Sequence, residues 1–395
     1  MNYQNKLEKS VLAAALSILC IGSHAQMSPA NAAALPQDRP IGNIEAVHEF
    51  YDAMPTGVTR APNGRIFVNF PRWGDEVPFT VGEIVGDRVV AYPSAEMNRP
   101  DQRHPASSLL SVQSVVADYR NRLWILDTAA PSFSAPLQGG AKLVAVDLAT
   151  NKVVKTIIFK PDVLLPTTYV NDVRFDFSLG NEGVAYITDS SANGPGGIIV
   201  VDLASGNAWR KLTAHSSAQV DPAFVAVVEG REMRTASPSG RRAPLHIASD
   251  GITLSPDGKT LYYSPLSSRH LFSVPTALLR DRNVPESDVE AAVKDLGEKG
   301  ASDGLESDAS GAVYAGDYER NSIRKMNPDG TWETIAHDPR ILWPDTMSVG
   351  TDGYLYFTAN QLNRMAQFNG GTDLRRKPYT LFRIKVNASP VTLQP

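Results

Sequence analysis

Residues 249–269 read SDGITLSPDGKTLYYSPLSSR. Ile252 and Leu254 alternate with polar neighbours as in a half-buried strand, Ser255-Pro256-Asp257-Gly258 carries turn chemistry, and Leu261, Tyr262 and Tyr263 lead a second strand. The same hairpin recurs along the chain. Thr56-Gly57-Val58 is followed by Pro62-Asn63-Gly64 and IFVNF, Gln113-Ser114-Val115 by Tyr119-Arg120-Asn121 and LWILD, and Asn171-Asp172-Val173 by AYITD. Asp303-Gly304-Leu305 precedes Ala309-Ser310-Gly311 and VYAGD, and Asp345-Thr346-Met347 precedes Thr351-Asp352-Gly353 and LYFTA.

The leading residues stand at 56, 113, 171, 250, 303 and 345, at intervals of 57, 58, 79, 53 and 42 residues. Such intervals, filled by short strands and turns, mark a β-propeller, whose four-stranded blades run about 40–50 residues each. A β-sandwich gives its strands no reason to restart with Asp or Asn, a small residue and then an aliphatic one. We therefore expect an all-β fold, a six-bladed β-propeller over residues 44–390, with 391–395 as a C-terminal tail. Ile44–Phe50 alternates as a strand, and its pairing with the distant run 379–386 would close the ring and remove a free sheet edge. Residues 284–300 break the β pattern. Ser287 and Glu290 stand as a capping box, Val289, Ala292, Val293 and Leu296 recur at helical spacing, and Gly297 supplies a stop, so one small inserted helix is expected there.

The chain of 395 residues is 42% hydrophobic and 20% charged with a net charge of −4, an ordinary globular balance that one closed propeller can use in full. No nucleic-acid surface is expected, because phosphate contacts need clustered Lys and Arg. The densest basic stretch, REMRTASPSGRR at 231–242, reads as a solvated loop. At the N-terminus, Lys6 and Lys9 precede an apolar run at 11–21, and Ser23-His24-Ala25 offers small residues for cleavage near Ala25. We expect residues 1–25 to be a signal peptide, 26–43 a flexible leader, and the mature protein to be an exported monomer, periplasmic or extracellular. The apolar run is shorter than the ~20 residues that span a bilayer, so no stable membrane insertion follows cleavage. The one cysteine, Cys20, falls inside the signal, which leaves the mature chain without disulfides.

In a propeller the first strand of each blade lines the central channel, so six equivalent strand starts form a ring at one rim. That ring comprises Thr56, Gln113, Asn171, Asp250, Asp303 and Asp345. Two roles suit its acids and amide. Asn171, Asp250, Asp303 and Asp345 together offer hard oxygen donors to a divalent cation, Ca²⁺ first and Mg²⁺ or Mn²⁺ next, whose charge would let neighbouring carboxylates ionise. Alternatively each residue folds back on its own backbone in an Asx turn. The second strands return to the same rim, ending at Phe70, Asp127, Asp189, Ser264, Asp317 and Ala359. There capping is the expected role of Asp127, Asp189 and Asp317. Trp73, Gln113, Tyr318 and Asn360 are candidate contacts for a small-molecule ligand. There is no G-x-S-x-G elbow, H-E-x-x-H pair or phosphate-cradling glycine loop, and the seven histidines show no paired spacing.

PTGVTRAPNGRIFVNFPRW, RLWILDTA, YVNDVRFD with AYITDS, SDGITLSPDGKTLYYSPLSSR and WPDTMSVGTDGYLYFTANQLNR resemble bacterial members of the major royal jelly protein and Yellow family. The resemblance covers roughly residues 44–390 and touches every blade. It implies a secreted six-bladed propeller, with insect members linked to dopachrome conversion and to binding small amines. A more distant similarity, to the senescence-marker-protein and gluconolactonase propellers, implies a cation-dependent lactonase. On that similarity Asn171 and Asp303 keep two ligand positions, Asp303 also serving as general base and so the candidate catalytic residue. Asp250 replaces a second Asn, and Thr56 stands where a Glu ligand belongs. Three functions follow as expectations: binding, with or without isomerisation, of a small polar or aromatic molecule at the rim; lactone hydrolysis with a divalent cation; or a non-catalytic interaction scaffold.

Overall fold

A computed structural model describes residues 38–236 and 242–395; the signal segment and most of the leader lie outside the described residues. Arg39–Pro395 forms one unit that contains six four-stranded antiparallel sheets. Their inner strands are Val58–Arg60, Val112–Ala117, Val170–Asp176, Ser249–Leu254, Ser302–Ser307 and Pro344–Val349. Each packs beside the next, and the last packs beside the first, so the sheets close into the expected propeller. Middle strands such as Arg122–Asp127 and Gly197–Asp202 read as continuous apolar runs because both of their faces pack on neighbouring blades. Between blades two and three, for example, Trp124, Leu126, Leu143, Val173 and Ile187 form one buried cluster.

Ring closure takes the expected form. Ile44–Phe50 pairs antiparallel with Tyr379–Lys385, Phe50 opposite Tyr379, and becomes the fourth strand of blade six. Upstream, Ile41 exchanges backbone hydrogen bonds of 2.8 and 3.0 Å with His337, so the end of the leader is tied to blade five. The C-terminal residues are held as well. Leu393 is buried and its carbonyl accepts from the Phe177 amide at 3.0 Å, which lays the tail across the channel end opposite the leading residues.

The helix expected over 284–300 needs correction. A small helix does form in that span, but only over Glu286–Ala291, after a short helix at Thr276–Arg280, and Lys294–Glu298 is instead the outer strand of blade four, paired with His270–Pro275. Pro285 occupies the N-cap without a side-chain bond, so the Ser287/Glu290 box does not form. The sheet supplies the reason: as the fourth strand of blade four, 294–298 pairs with the backbone of His270–Pro275, a gain that a further turn of amphipathic helix does not match. The described residues of the basic stretch, 231–236 and 242, form strands rather than a solvated loop. Val227–Val228 pairs with Arg231–Glu232, and Arg234–Ala236 with Arg242–Pro244. Phe224, Val228, Met233 and Leu245 from this insertion join a buried cluster with Trp343 and Phe368, so it caps one mouth of the channel.

Candidate functional site

Strand register explains why the leading residues face the axis. In blades two to six the pairing of first and second strands slips between Val112 and Ser114, Val170 and Val173, Ser249 and Gly251, Ser302 and Leu305, and Pro344 and Met347. A β-bulge re-aims the residue it leaves unpaired. The residues within these slips include Gln113, Asn171, Asp250, Asp303 and Asp345, one per blade. Two following glycines let the strands converge. A Cβ on Gly251 would stand 2.5 Å from the Asp303 carbonyl oxygen, and one on Gly304 would stand 2.6 Å from that of Asp345. Asp-Gly in blades four and five is thus the sequence signature of inner strands too close for any side chain.

The acids meet in a dry place. Asp250, Asp303 and Asp345 are 4–6% exposed. Asn171 Nδ2 donates to Asp250 Oδ1 at 2.6 Å and Ser190 Oγ to Asp250 Oδ2 at 3.0 Å. Trp343 Nε1 donates to Asp303 Oδ2 at 2.7 Å, and Asn360 Nδ2 to Asp345 Oδ2 at 2.7 Å. The Asp250 and Asp303 carboxyls stand close enough that each perturbs the ionisation of the other. Burial, then the Asp303 charge, pushes Asp250 well above the carboxylate range, and the same two causes raise Asp345. Burial also raises Asp303, but only to about 6, because the Trp343 N–H and the Asp250 proton both favour its charged form. Lys299 offsets little of this repulsion. It is fully buried with the Gly300 carbonyl as its Nζ partner at 3.0 Å, and desolvation lowers its ammonium to about 7.

Aromatic rings wall the space above the acids. Trp73 stacks on Phe133 at 5.1 Å, and Phe133 on Tyr169 at 5.0 Å. A chain of hydrogen bonds runs beneath that stack, from Trp73 Nε1 to Tyr169 Oη at 2.7 Å and from Tyr169 Oη to Gln113 Oε1 at 3.1 Å. Opposite stands Trp343, stacked on Tyr318 at 4.0 Å and 8°. With the acids these rings enclose a cavity of about 60 Å³, measured to the centre of a water-sized sphere, with Leu362 and Phe368 among its walls. That holds about four waters and falls short of the ~150 Å³ that admits a benzene ring. Phe133 is the wall freest to move. It is 42% exposed, and both Ser132 (φ 54°) and Phe133 (φ 56°) sit in the left-handed region that bulky residues avoid.

Of the expected site residues, Trp73, Gln113, Asn171, Asp250, Asp303 and Asp345 line this one cavity. Tyr318 does not line it: the ring is fully buried behind Trp343, and its hydroxyl donates to the Leu266 carbonyl at 2.8 Å. Asn360 is fully buried too and acts on Asp345 rather than on the space. Thr56 is buried, with its hydroxyl accepting from Asn69 Nδ2 at 2.9 Å. Asp127, Asp189 and Asp317 take backbone amides, from Ser111, Tyr169 and Glu319 among others, as their capping role requires. Trp343, Phe133, Tyr169 and Ser190 complete the site without having been singled out in the sequence. Trp343 left a trace, the Trp-Pro pair directly before Asp345.

The donor set fits a divalent cation poorly. Among the described residues no group of three or more His, Cys, Asp or Glu side chains has the spacing to hold a metal. Both oxygens of Asp250 and both of Asp345 already accept hydrogen bonds, the last from Thr346 Oγ1 at 3.2 Å. Among the described residues, no helix is long and apolar enough to cross a membrane.

Known proteins share this fold. A luciferin-regenerating enzyme superposes with a TM-score of 0.54 at 11% identity, covering 90% of this chain and all of that one. A regucalcin from Agrobacterium tumefaciens, described as calcium-binding, gives 0.51 at 14% identity over 88% of this chain and 97% of its own. At such identities the likeness is one of fold alone. Sequence reaches further. Protein yellow of Drosophila erecta is 28% identical over 247 residues, 60% of this chain and 43% of that relative, and protein yellow of Drosophila melanogaster matches to the same extent. The chain therefore spans under half the length of the curated relatives it matches. The model of the major royal jelly protein family matches residues 110–389, blades two to six with their carboxylate ring, and the chain belongs to that family.

Proposed function

We propose that this chain is an exported propeller that binds a small polar aromatic molecule in the axial cavity and moves a proton on it. One observation carries the reading: Asp250 and Asp303 line one cavity with Trp73, Phe133, Tyr169 and Trp343, and outward movement of the 42% exposed Phe133 is what would make room there for a ring. Aromatic walls select a ring by stacking, and buried carboxylates favour a guest that brings a cationic or hydrogen-bond-donating group. A base near 6 is mostly ionised at neutrality and still close enough to the working pH to take a proton effectively. Asp303 takes a proton from the bound molecule and Asp250 returns one elsewhere on it, an isomerisation without net oxidation. Export is read from Lys6, Lys9 and the apolar run at 11–21.

The test is thermal unfolding of the mature protein against a panel of catechols, indoles and aromatic amines, with D303N and W73A alongside. A ligand favouring the native state raises its midpoint. A shift with wild type that W73A loses supports the reading; no shift with any compound sinks it. The second reading, cation-dependent lactone hydrolysis, draws on Asn171, Asp250 and Asp303 lining one cavity on consecutive blades. Lactone turnover that chelator abolishes and calcium restores would replace the first reading with this one.

A further inference from the structure

The cap and the 363–376 segment enclose a second concavity, distinct in character from the axial cavity. Its volume is about 950 Å³ by the same measure, and Val228, Met233, Phe368 and Leu374 supply the apolar part of its lining. The polar lining is dominated by arginine: Arg231, Arg242, Arg364, Arg375 and Arg376, against Glu229, Glu232 and Asp373.

All three acids are already engaged. Glu229, in the hairpin turn, takes both Nε and Nη2 of Arg364, and Glu232 takes Nε of Arg234 at 2.7 Å. Asp373 takes Nη2 of Arg375 at 2.6 Å, and Asp75 binds the same guanidinium through two bonds of 2.6 and 2.7 Å. Arg364 and Arg375 are thereby fixed as parts of the frame. Arg231, Arg242 and Arg376 make no hydrogen bond or ion pair with a carboxylate among the described residues, Arg231 acting on Glu229 only through its charge, and the cap sequence from 233 to 249 contains no Asp or Glu. Arg242 makes only a long 3.4 Å contact with the Phe368 carbonyl.

Three guanidinium groups lining one concavity repel one another unless anions sit among them, and their planar forks match carboxylate and phosphate oxygens. We propose that this groove is a second ligand site that takes a small molecule bearing two or more oxyanion groups. This site is independent of the axial one. Phe368 lines both spaces, so a guest here abuts one wall of the axial cavity.

The test is isothermal titration of the mature protein at constant ionic strength with two probes, inorganic pyrophosphate and citrate. Saturable binding that weakens with added chloride is expected for at least one, and which one binds separates phosphoryl from carboxylate ligands. Arg231→Gln and Arg376→Gln should each lower affinity about tenfold, the loss of one charge-assisted hydrogen bond. Arg282→Gln, where the guanidinium lies over Trp209 outside the groove, should leave it unchanged. Both groove side chains are exposed, so an unaltered urea midpoint verifies folding. Absence of binding by either anion, or equal weakening in all three variants, overturns the proposal.

Discussion

Replacing Asp303 by Asn should make the protein more stable, and only at neutral to alkaline pH. Burial raises this carboxyl from 3.8 to about 6, so the folded state holds its proton more tightly than the unfolded chain does. Stability from such a group is fully present below the unfolded value, near pH 4, and is lost as pH rises through about 6. A shift of roughly two units at about 1.4 kcal/mol each puts the cost of carrying ionised Asp303 at pH 8 near 3 kcal/mol. Asparagine cannot ionise. Its oxygen still accepts from Trp343 Nε1, now 2.7 Å from Asp303 Oδ2, and its neutral amide no longer raises Asp250 by charge repulsion.

Urea denaturation at pH 4.5 and pH 8 measures the difference. Asp303→Asn should gain up to about 3 kcal/mol over wild type at pH 8 and be within ~1 kcal/mol of it at pH 4.5, while losing any proton-transfer activity. The compensation is that of a site whose function costs stability. A variant less stable than wild type at pH 8 would refute the reasoning, because it would mean that a positive partner, a bound cation or a charged Lys299, neutralises Asp303. Repeating that measurement with chelator tells the two partners apart.

Trp343→Phe keeps the stack on Tyr318 but removes the N–H that favours ionised Asp303. It should cost about 1–3 kcal/mol at pH 8, less at pH 4.5, and move the acidic limb of any pH–rate profile upward; an equal loss at both pH values would assign Trp343 a packing role alone. Gly304→Ala places a Cβ 2.6 Å from the Asp345 carbonyl oxygen, backbone that has no side-chain freedom to yield. Unfolding free energy should fall by about 1–3 kcal/mol, as for other overpacked sites, and a neutral result would show that the inner strands do not approach as closely as described.

The legibility of this chain has a physical boundary. Strand starts were readable because each blade repeats the same local chemistry, a small or polar opener, a turn and an apolar run, and local chemistry is what sequence records. Ile44–Phe50 was placeable only through the ring, since a closed sheet leaves its last edge one possible partner. Lys294–Glu298 was misread because its neighbours satisfy helical spacing, and Gly297, at φ 84°, fits a helix stop as well as an irregular edge strand. Trp343 was harder still. It is a fully buried indole held at φ 57°, a conformation that nothing in a bulky side chain announces. Such strain persists when the surroundings over-determine it, here by the Tyr318 stack on one face and Asp303 on the indole nitrogen. The candidate ligand contacts divided along the same line. Trp73 and Gln113 face the cavity, whereas Tyr318 and Asn360, in equivalent places beyond their strands, support Trp343 and Asp345 from behind. Periodicity places a residue on a rim; which side of its neighbour it then occupies depends on that neighbour, and in blade five the indole at 343 stands between Tyr318 and the cavity.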